Sequence, residues 1–315
     1  MLLQIAALAR RRIVLAVIAS GVIGGLTGAA YLWTLRGATR LIGPDHFATW
    51  THLLLLVGVG VAVGILVHVL GAPDDVELLV GNIHVLGGPR EIRGLRSLIP
   101  ASLLCIAVGG PLGPEAPLVT ATGTAGSLLA RRQGLTVTEV RMVAITGMAA
   151  GFTVLFGAPL GSAVFALEIL HRRGMEYYEA LMPAIVGSLC GYGVAAAARV
   201  VGLGPLWQVP SVVELHPADF AWAIAAGVVG AIVAIAFTYM TIGLRRAVAG
   251  VPTGLRPALG GLLIGLGALV TPYVLTNGEG QINDLLRHPV VVATLGVAAV
   301  AKLCSAAVAV VTGFR

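Results

Sequence analysis

The chain has 315 residues, 57% of them hydrophobic and 11% charged, with a mean hydropathy of +0.96. Soluble domains of this size are not so poor in charge, and the 43 glycines suit membrane helices that approach closely. The net charge of +6 comes from 19 Arg and one Lys against 14 acids, which in a membrane chain marks cytoplasmic loops rather than a nucleic-acid surface.

Arg10, Arg11 and Arg12 precede an apolar run over 13–35. The run has no clear cleavage site, so it predicts a first spanning helix rather than a signal peptide. Further apolar stretches fall at 52–70, 97–112, 117–130, 142–155, 158–170, 178–200, 218–243, 257–275 and 290–312. Several are shorter than the ~20 residues a bilayer core needs. The stretch 97–130 divides into two short helices at Gly109–Pro117, and 142–170 divides at Phe156–Leu160. Broken backbone at that depth is tolerated where protein or a water-filled cavity surrounds it, as in a permeation pathway.

Arg10–Arg12, Arg90/Arg93/Arg96, Arg131/Arg132/Arg141, Arg172/Arg173 and Arg245/Arg246 assign cytoplasmic loops and a cytoplasmic N-terminus. Arg36 and Arg40 run against that assignment. The connection 201–217, with Pro205, Trp207 and Pro210 and with Trp222 just beyond, reads as extracytoplasmic. A weak internal repeat relates Gly60–Leu66 to Gly261–Gly267, each followed by a break, a Leu-Leu pair and a helix carrying a cysteine. Cys105, Cys190 and Cys304 lie in apolar segments without a CxxC pairing, which predicts buried thiols and neither a disulfide framework nor a metal site. No cofactor is implied. The expected architecture is one all-α polytopic membrane domain over 1–315, with a first repeat at about 13–200 and a partial second at about 218–315.

Glu115 stands out in Gly109-Gly-Pro-Leu-Gly-Pro-Glu-Ala-Pro-Leu118. A carboxylate at membrane depth is costly and marks a functional site. Gly and Pro break the incoming helix, and Pro117 is placed to open the next. Glu115 is then expected just before a helix N-terminus, where N–H groups favour an anion. The plainer alternative is a carboxylate capping a helix in an interfacial loop. No Ser–His pair or HExxH supports an intramembrane enzyme.

Gly113-Pro-Glu-Ala-Pro117 resembles the GxEGP filter motif of the CLC family of chloride channels and chloride–proton antiporters. Phe156-Gly-Ala-Pro-Leu-Gly-Ser-Ala-Val-Phe-Ala-Leu-Glu168 resembles that family's FNAPLAGxxFxxE segment, and Arg141–Gly151 resembles the helix between them. The resemblance implies a bundle of tilted, broken helices with an inverted repeat. It implies a homodimer in the plasma (inner) membrane with one anion pathway per subunit. It makes Glu115 the gate that competes with chloride or a similar small anion. Gly113, Pro114, Glu115, Ala116 and Asp75 then contribute backbone and helix N-termini to the anion site.

Departures from the pattern accompany it. Gly71-Ala-Pro-Asp-Asp75 stands where the family has Gly-Ser-Gly-Ile-Pro, and Asp74 or Asp75 reads equally well as an N-cap. Ile169 stands where proton-coupled members often carry a second glutamate. Glu168 is left as the candidate for an inner proton path, against a structural role beside His171, Arg172 and Arg173. Glu77, His68 and His84 read as structural polar residues, and Lys302 carries no assigned role. The family's GxFxP segment and later filter tyrosine would follow Arg315, so the C-terminal part of the fold is expected to lie beyond this sequence. Glu115 favours an antiporter. The alternatives are a channel without proton coupling, or a non-transporting fragment of a split or truncated protein.

Overall fold

The computed structural model describes residues 2–170, 177–200, 214, 216–288 and 290–315, with side chains from residue 11 onward. His171, Arg172 and Arg173, and Pro205, Trp207 and Pro210 of the 201–217 connection, lie outside the described residues. Every regular element among the described residues is helical: α1 Leu2–Ile42, α2 Thr49–Leu70, α3 Val76–Leu86, α4 Leu95–Ala107, α5 Glu115–Arg132, α6 Val137–Phe156, α7 Pro159–Glu168, α8 Leu181–Ala197, α9 Pro217–Ala247, α10 Arg256–Ala268, α11 Glu279–Arg287 and α12 Val292–Thr312. Six of these, α1, α2, α6, α8 (with the turn before it), α9 and α12, are long and apolar enough to cross a membrane.

Each of the ten apolar stretches becomes a helix, and both expected breaks occur. Gly157 ends α6 at φ 65, a conformation that suits a residue without Cβ, and Pro159 opens α7. The hydropathy pattern does not disclose α3 and α11, which are shorter than a span. Asp75 starts α3 by accepting the Leu78 N–H at 2.8 Å, and Gly87 closes it at φ 78. A short helix stands between two longer ones twice, as α3 between α2 and α4 and as α11 between α10 and α12.

The chain divides into two compact units. The first comprises Met1–Ala38, Val69–Leu103 and Pro114–Leu206. Its centre is α6, which packs on α5, α7 and α8. Ile145, Met148 and Phe152 of α6 meet Leu79 and Ile83 of α3, Val119 of α5, and Ala163, Ala166 and Leu167 of α7. Glycine lets these backbones touch. A Cβ at Gly147 would collide with the Thr122 carbonyl, one at Gly187 with Thr146, and one at Gly21 with the backbone of Gly187. Packing without large side chains replaces the hydrophobic drive, which is absent between helices in lipid.

Polar side chains satisfy backbone groups in this unit. Arg131 Nη2 donates to the Leu86 carbonyl at 2.6 Å and the Gly88 carbonyl at 2.9 Å. Arg141 donates to Ile83 at 3.0 Å and His84 at 3.1 Å, with its guanidinium 4.6 Å from the Tyr177 ring centre. Two guanidiniums thus hold the carbonyl end of α3, where unpaired acceptors and the helix dipole favour cations. Arg36 donates to the Val200 carbonyl at 2.7 Å, which gives this topologically awkward arginine a structural role. His84 Nδ1 lies 2.6 Å from the Tyr177 hydroxyl, as expected of a structural histidine. Glu77 departs from the expectation: it is exposed on the first turn of α3.

The second unit comprises Thr39–His68, Leu104–Gly113 and Trp207–Arg315. Here α12 packs on α9 and α10. Gly60, Gly64 and Gly261 approach the backbones of Pro257, Gly254 and Leu56 too closely for a side chain. Phe314 is fully buried, and its side chain packs against Gly260 and Gly261. The cysteines are free, but only Cys105 is fully buried. Cys304 is exposed on α12, contrary to the buried thiol expected there, because an apolar helix in this unit need not turn every face inward.

Two measurements test this packing. Gly147→Ala is expected to destabilise the protein by about 1–3 kcal/mol through overpacking. Gly58→Ala, with open space around it, should be neutral or stabilise by up to about 1 kcal/mol from helix propensity. Equal thermal shifts in detergent would contradict the assignment. Arg131→Met should cost about 2–4 kcal/mol because it leaves the Leu86 and Gly88 carbonyls unpaired, and Arg131→Lys should recover only part of it. Denaturation midpoints of the three proteins decide this.

Candidate anion gate at a broken helix

The site begins where α4 stops. The Gly109 N–H bonds Ile106 and the Gly110 N–H bonds Cys105, at 3.0 and 2.8 Å, closing the last turn. Gly109 takes φ 96, a left-handed conformation that a side chain would strain. The Gly109 carbonyl accepts the Thr276 N–H at 2.8 Å. The chain then runs through Gly113, half-buried, and Pro114, buried, into α5.

The helix opens two residues earlier than the proline pattern suggests. Glu115 is its first residue, Pro114 caps it without a side-chain bond, and Pro117 lies within the first turn. Intrahelical bonding starts with the Leu118 N–H to the Pro114 carbonyl at 3.1 Å. Pro114 and Pro117 carry no N–H, so Glu115 and Ala116 hold the N–H groups of the first turn that precede this ladder. Glu115 is half-buried and Ala116 exposed. Carboxylate, two adjacent N–H groups and the positive end of an 18-residue helix therefore share one point in the chain. Thr120 and Thr122 return their hydroxyls to the Ala116 and Leu118 carbonyls at 2.7 and 3.0 Å, whereas the buried Thr124 hydroxyl one turn on has no hydrogen-bond partner.

The other candidate residues sit elsewhere. Asp75 is the N-cap of α3, and its own carboxylate takes the Leu78 N–H, so that terminus already holds an anionic group. Asp74 lies against Gly94, where any side chain would collide with its carboxylate. Glu168 is exposed at the last position of α7, and Ile169 after it is half-buried. The candidates Gly113–Ala116 are thus contiguous in the chain, and Asp75 and Glu168 belong to other helix ends.

Three residues gain roles that the linear reading did not assign. His52, in the first turn of α2, is 3% exposed, and its ring faces the Gly109 turn. Lys302, in α12, finds backbone partners. Its Nζ donates to the Leu275 and Thr276 carbonyls, both at 2.7 Å. Thr276 itself adopts φ 61. A lone lysine in an apolar helix and an Asn-Gly turn at 277–278 were the available signals.

Residues 76–315 match the family model described as voltage gated chloride channel. A chloride/fluoride channel protein of Pseudomonas syringae pv. tomato is 32% identical over 265 residues, covering 78% of this chain and 54% of the relative. A voltage-gated ClC-type chloride channel, ClcB, of Salmonella typhimurium is 30% identical over 210 residues, covering 64% and 48%. The chain thus spans about half the length of these two relatives. Among solved structures, a slow cyanobacterial Cl−/H+ antiporter superposes with a TM-score of 0.81 at 17% identity, covering 96% of this chain and 74% of that one. A CLC-type fluoride/proton antiporter gives 0.77 at 21% identity, covering 95% and 75%. These likenesses establish the fold. With its apolar helices of membrane length and its match over residues 76–315, the chain is a multi-pass integral membrane protein and belongs to the voltage-gated chloride channel, or CLC, family.

Proposed function

We propose that the protein moves chloride or a similar small anion across the membrane by a Glu115-gated pathway, as an anion/proton antiporter. The observation that carries this reading is the α5 N-terminus. An ionised carboxylate and a permeant anion both favour its N–H groups and dipole, so they compete for one place. Backbone donors suit a permeant ion, since they replace water without holding the ion as a full buried charge would. Gly113 and Pro114 set the chain's approach to this terminus, and Ala116 supplies the neighbouring donor. Asp75 caps the α3 terminus with its own carboxylate, which leaves the anion to the α5 terminus.

The names of the relatives above support an anion as cargo, and those of the structural neighbours support proton coupling. A titratable Glu115 supplies the group that coupling requires. Glu168 is the inner end of the proton path in this reading. We read residues 1–315 as one CLC-like transmembrane domain with repeats at about 13–200 and 218–315. The twofold order of elements supports the repeat. The arginine pattern supports a cytoplasmic N-terminus, and membership of the family supports a homodimer in the plasma membrane.

Glu115→Gln in the full-length protein, reconstituted in liposomes, tests the gate. A single titrating carboxylate changes a rate by at most about tenfold per pH unit. The variant should keep or raise anion efflux, lose that slope and lose proton coupling. A wild-type pH profile in the variant would remove Glu115 from the gate. For the inner path, Glu168→Gln should leave the stability within about 0.5 kcal/mol of wild type, since the side chain is exposed. It should keep chloride flux while lowering proton uptake. Unaltered proton uptake would exclude Glu168, and anion flux without coupled proton movement in the unmodified protein would favour a channel.

A further inference from the structure

The turn Leu275–Gly278 is held in an unfavourable shape from several sides. Thr276, a β-branched residue, sits at φ 61, in the left-handed region where such residues are rare. Strain of this kind persists where the surroundings over-determine it, and it clusters at functional places. Lys302 of α12 supplies much of the constraint. Its Nζ bonds the carbonyls of Leu275 and Thr276, each at 2.7 Å, and its Cε lies beside the glycine at 278. Gln281 adds a bond from Nε2 to the Leu275 carbonyl at 3.3 Å and one to Pro272 at 3.0 Å.

What the constrained turn holds is the Gly109 carbonyl. The Thr276 N–H reaches it at 2.8 Å, at the left-handed residue where α4 breaks. Four residues separate Gly109 from Pro114, the cap of the helix that Glu115 opens. An ammonium is a costly way to tie a loop in an apolar helix, and an uncharged side chain could satisfy carbonyls at lower desolvation cost. The charge makes both bonds short and strong.

We propose that Lys302 is a positioning residue for the chain that leads to the gate: by locking the Thr276 turn it fixes the Gly109 carbonyl at the break from which the chain runs on to Glu115. The functional part of this inference rests on Glu115 being the gate; the structural part does not.

The test compares Lys302→Met with Lys302→Arg in the full-length protein, by hydrogen–deuterium exchange and by anion efflux across a pH series. Lys302→Met should raise exchange of the Val108–Gly113 amides by about tenfold, roughly the loss of one net hydrogen bond. Exchange in α6 should stay at the wild-type level. The same variant should shift the midpoint of the pH profile of efflux, and Lys302→Arg, which still donates twice, should restore both readouts. Thr276→Gly, which accepts φ 61 without strain, should leave exchange at Val108–Gly113 close to wild type. Unchanged exchange in Lys302→Met, or an equal rise throughout α6, overturns the proposal. If Lys302→Met does not insert, Lys302→Gln, which keeps one donor group, must show an intermediate rise. Combining Lys302→Met with Glu115→Gln separates the two readings. Exchange must still rise there, whatever the efflux does, while retained pH dependence in Glu115→Gln alone counts only against the gate.

Discussion

A backbone that breaks inside an apolar solvent must find partners for its freed N–H and C=O groups without water. That requirement governs much of this structure. Each break exposes helix ends, and several of these ends are met by a particular device. Arginines 131 and 141 cover the carbonyl end of α3, and Arg36 covers the carbonyl of Val200 after α8. Ser127 takes the Pro89 carbonyl at 2.7 Å. Lys302 covers the turn before α11. Arg131 and Arg141, read from the sequence as topology signals, are therefore also structural caps, because a cation suits the negative end of a helix.

The α5 N-terminus is treated differently. At α3, Asp75 caps the first turn and the terminus is already occupied. At α5, prolines flank the first turn and no side chain caps it through its N-cap residue. The anionic group there is Glu115, on a residue of the helix itself. Asp75 precedes its helix as the cap, whereas Glu115 is itself a residue of the first turn.

The glycine-lined contacts around α6 supply the rigid frame for this arrangement. Backbones that touch at Gly21, Gly147 and Gly187 leave little room for sliding. Tight packing holds a helix end at a fixed depth, which a site made of backbone donors needs, since such donors cannot reach for their ligand as a long side chain can.

The sequence alone determined the features that depend on local chemistry. Proline lacks an N–H and glycine tolerates left-handed backbone, so the breaks at Gly109–Pro117 and Phe156–Leu160 were legible from neighbouring residues, as was the short motif that carries Glu115. Composition identified the solvent in which the chain folds, because few charges and many small residues suit lipid. The tertiary structure decided which distant groups meet. Arg131 finds carbonyls more than 40 residues away, and Lys302 finds its own 26 and 27 residues back. Neither pairing has a local signature, since a carbonyl looks the same in every residue and only the packing of helices selects one. The starting point of α5 was decided in the same way: two prolines allow a helix to open at either of several residues, and the folded chain opens it at Glu115.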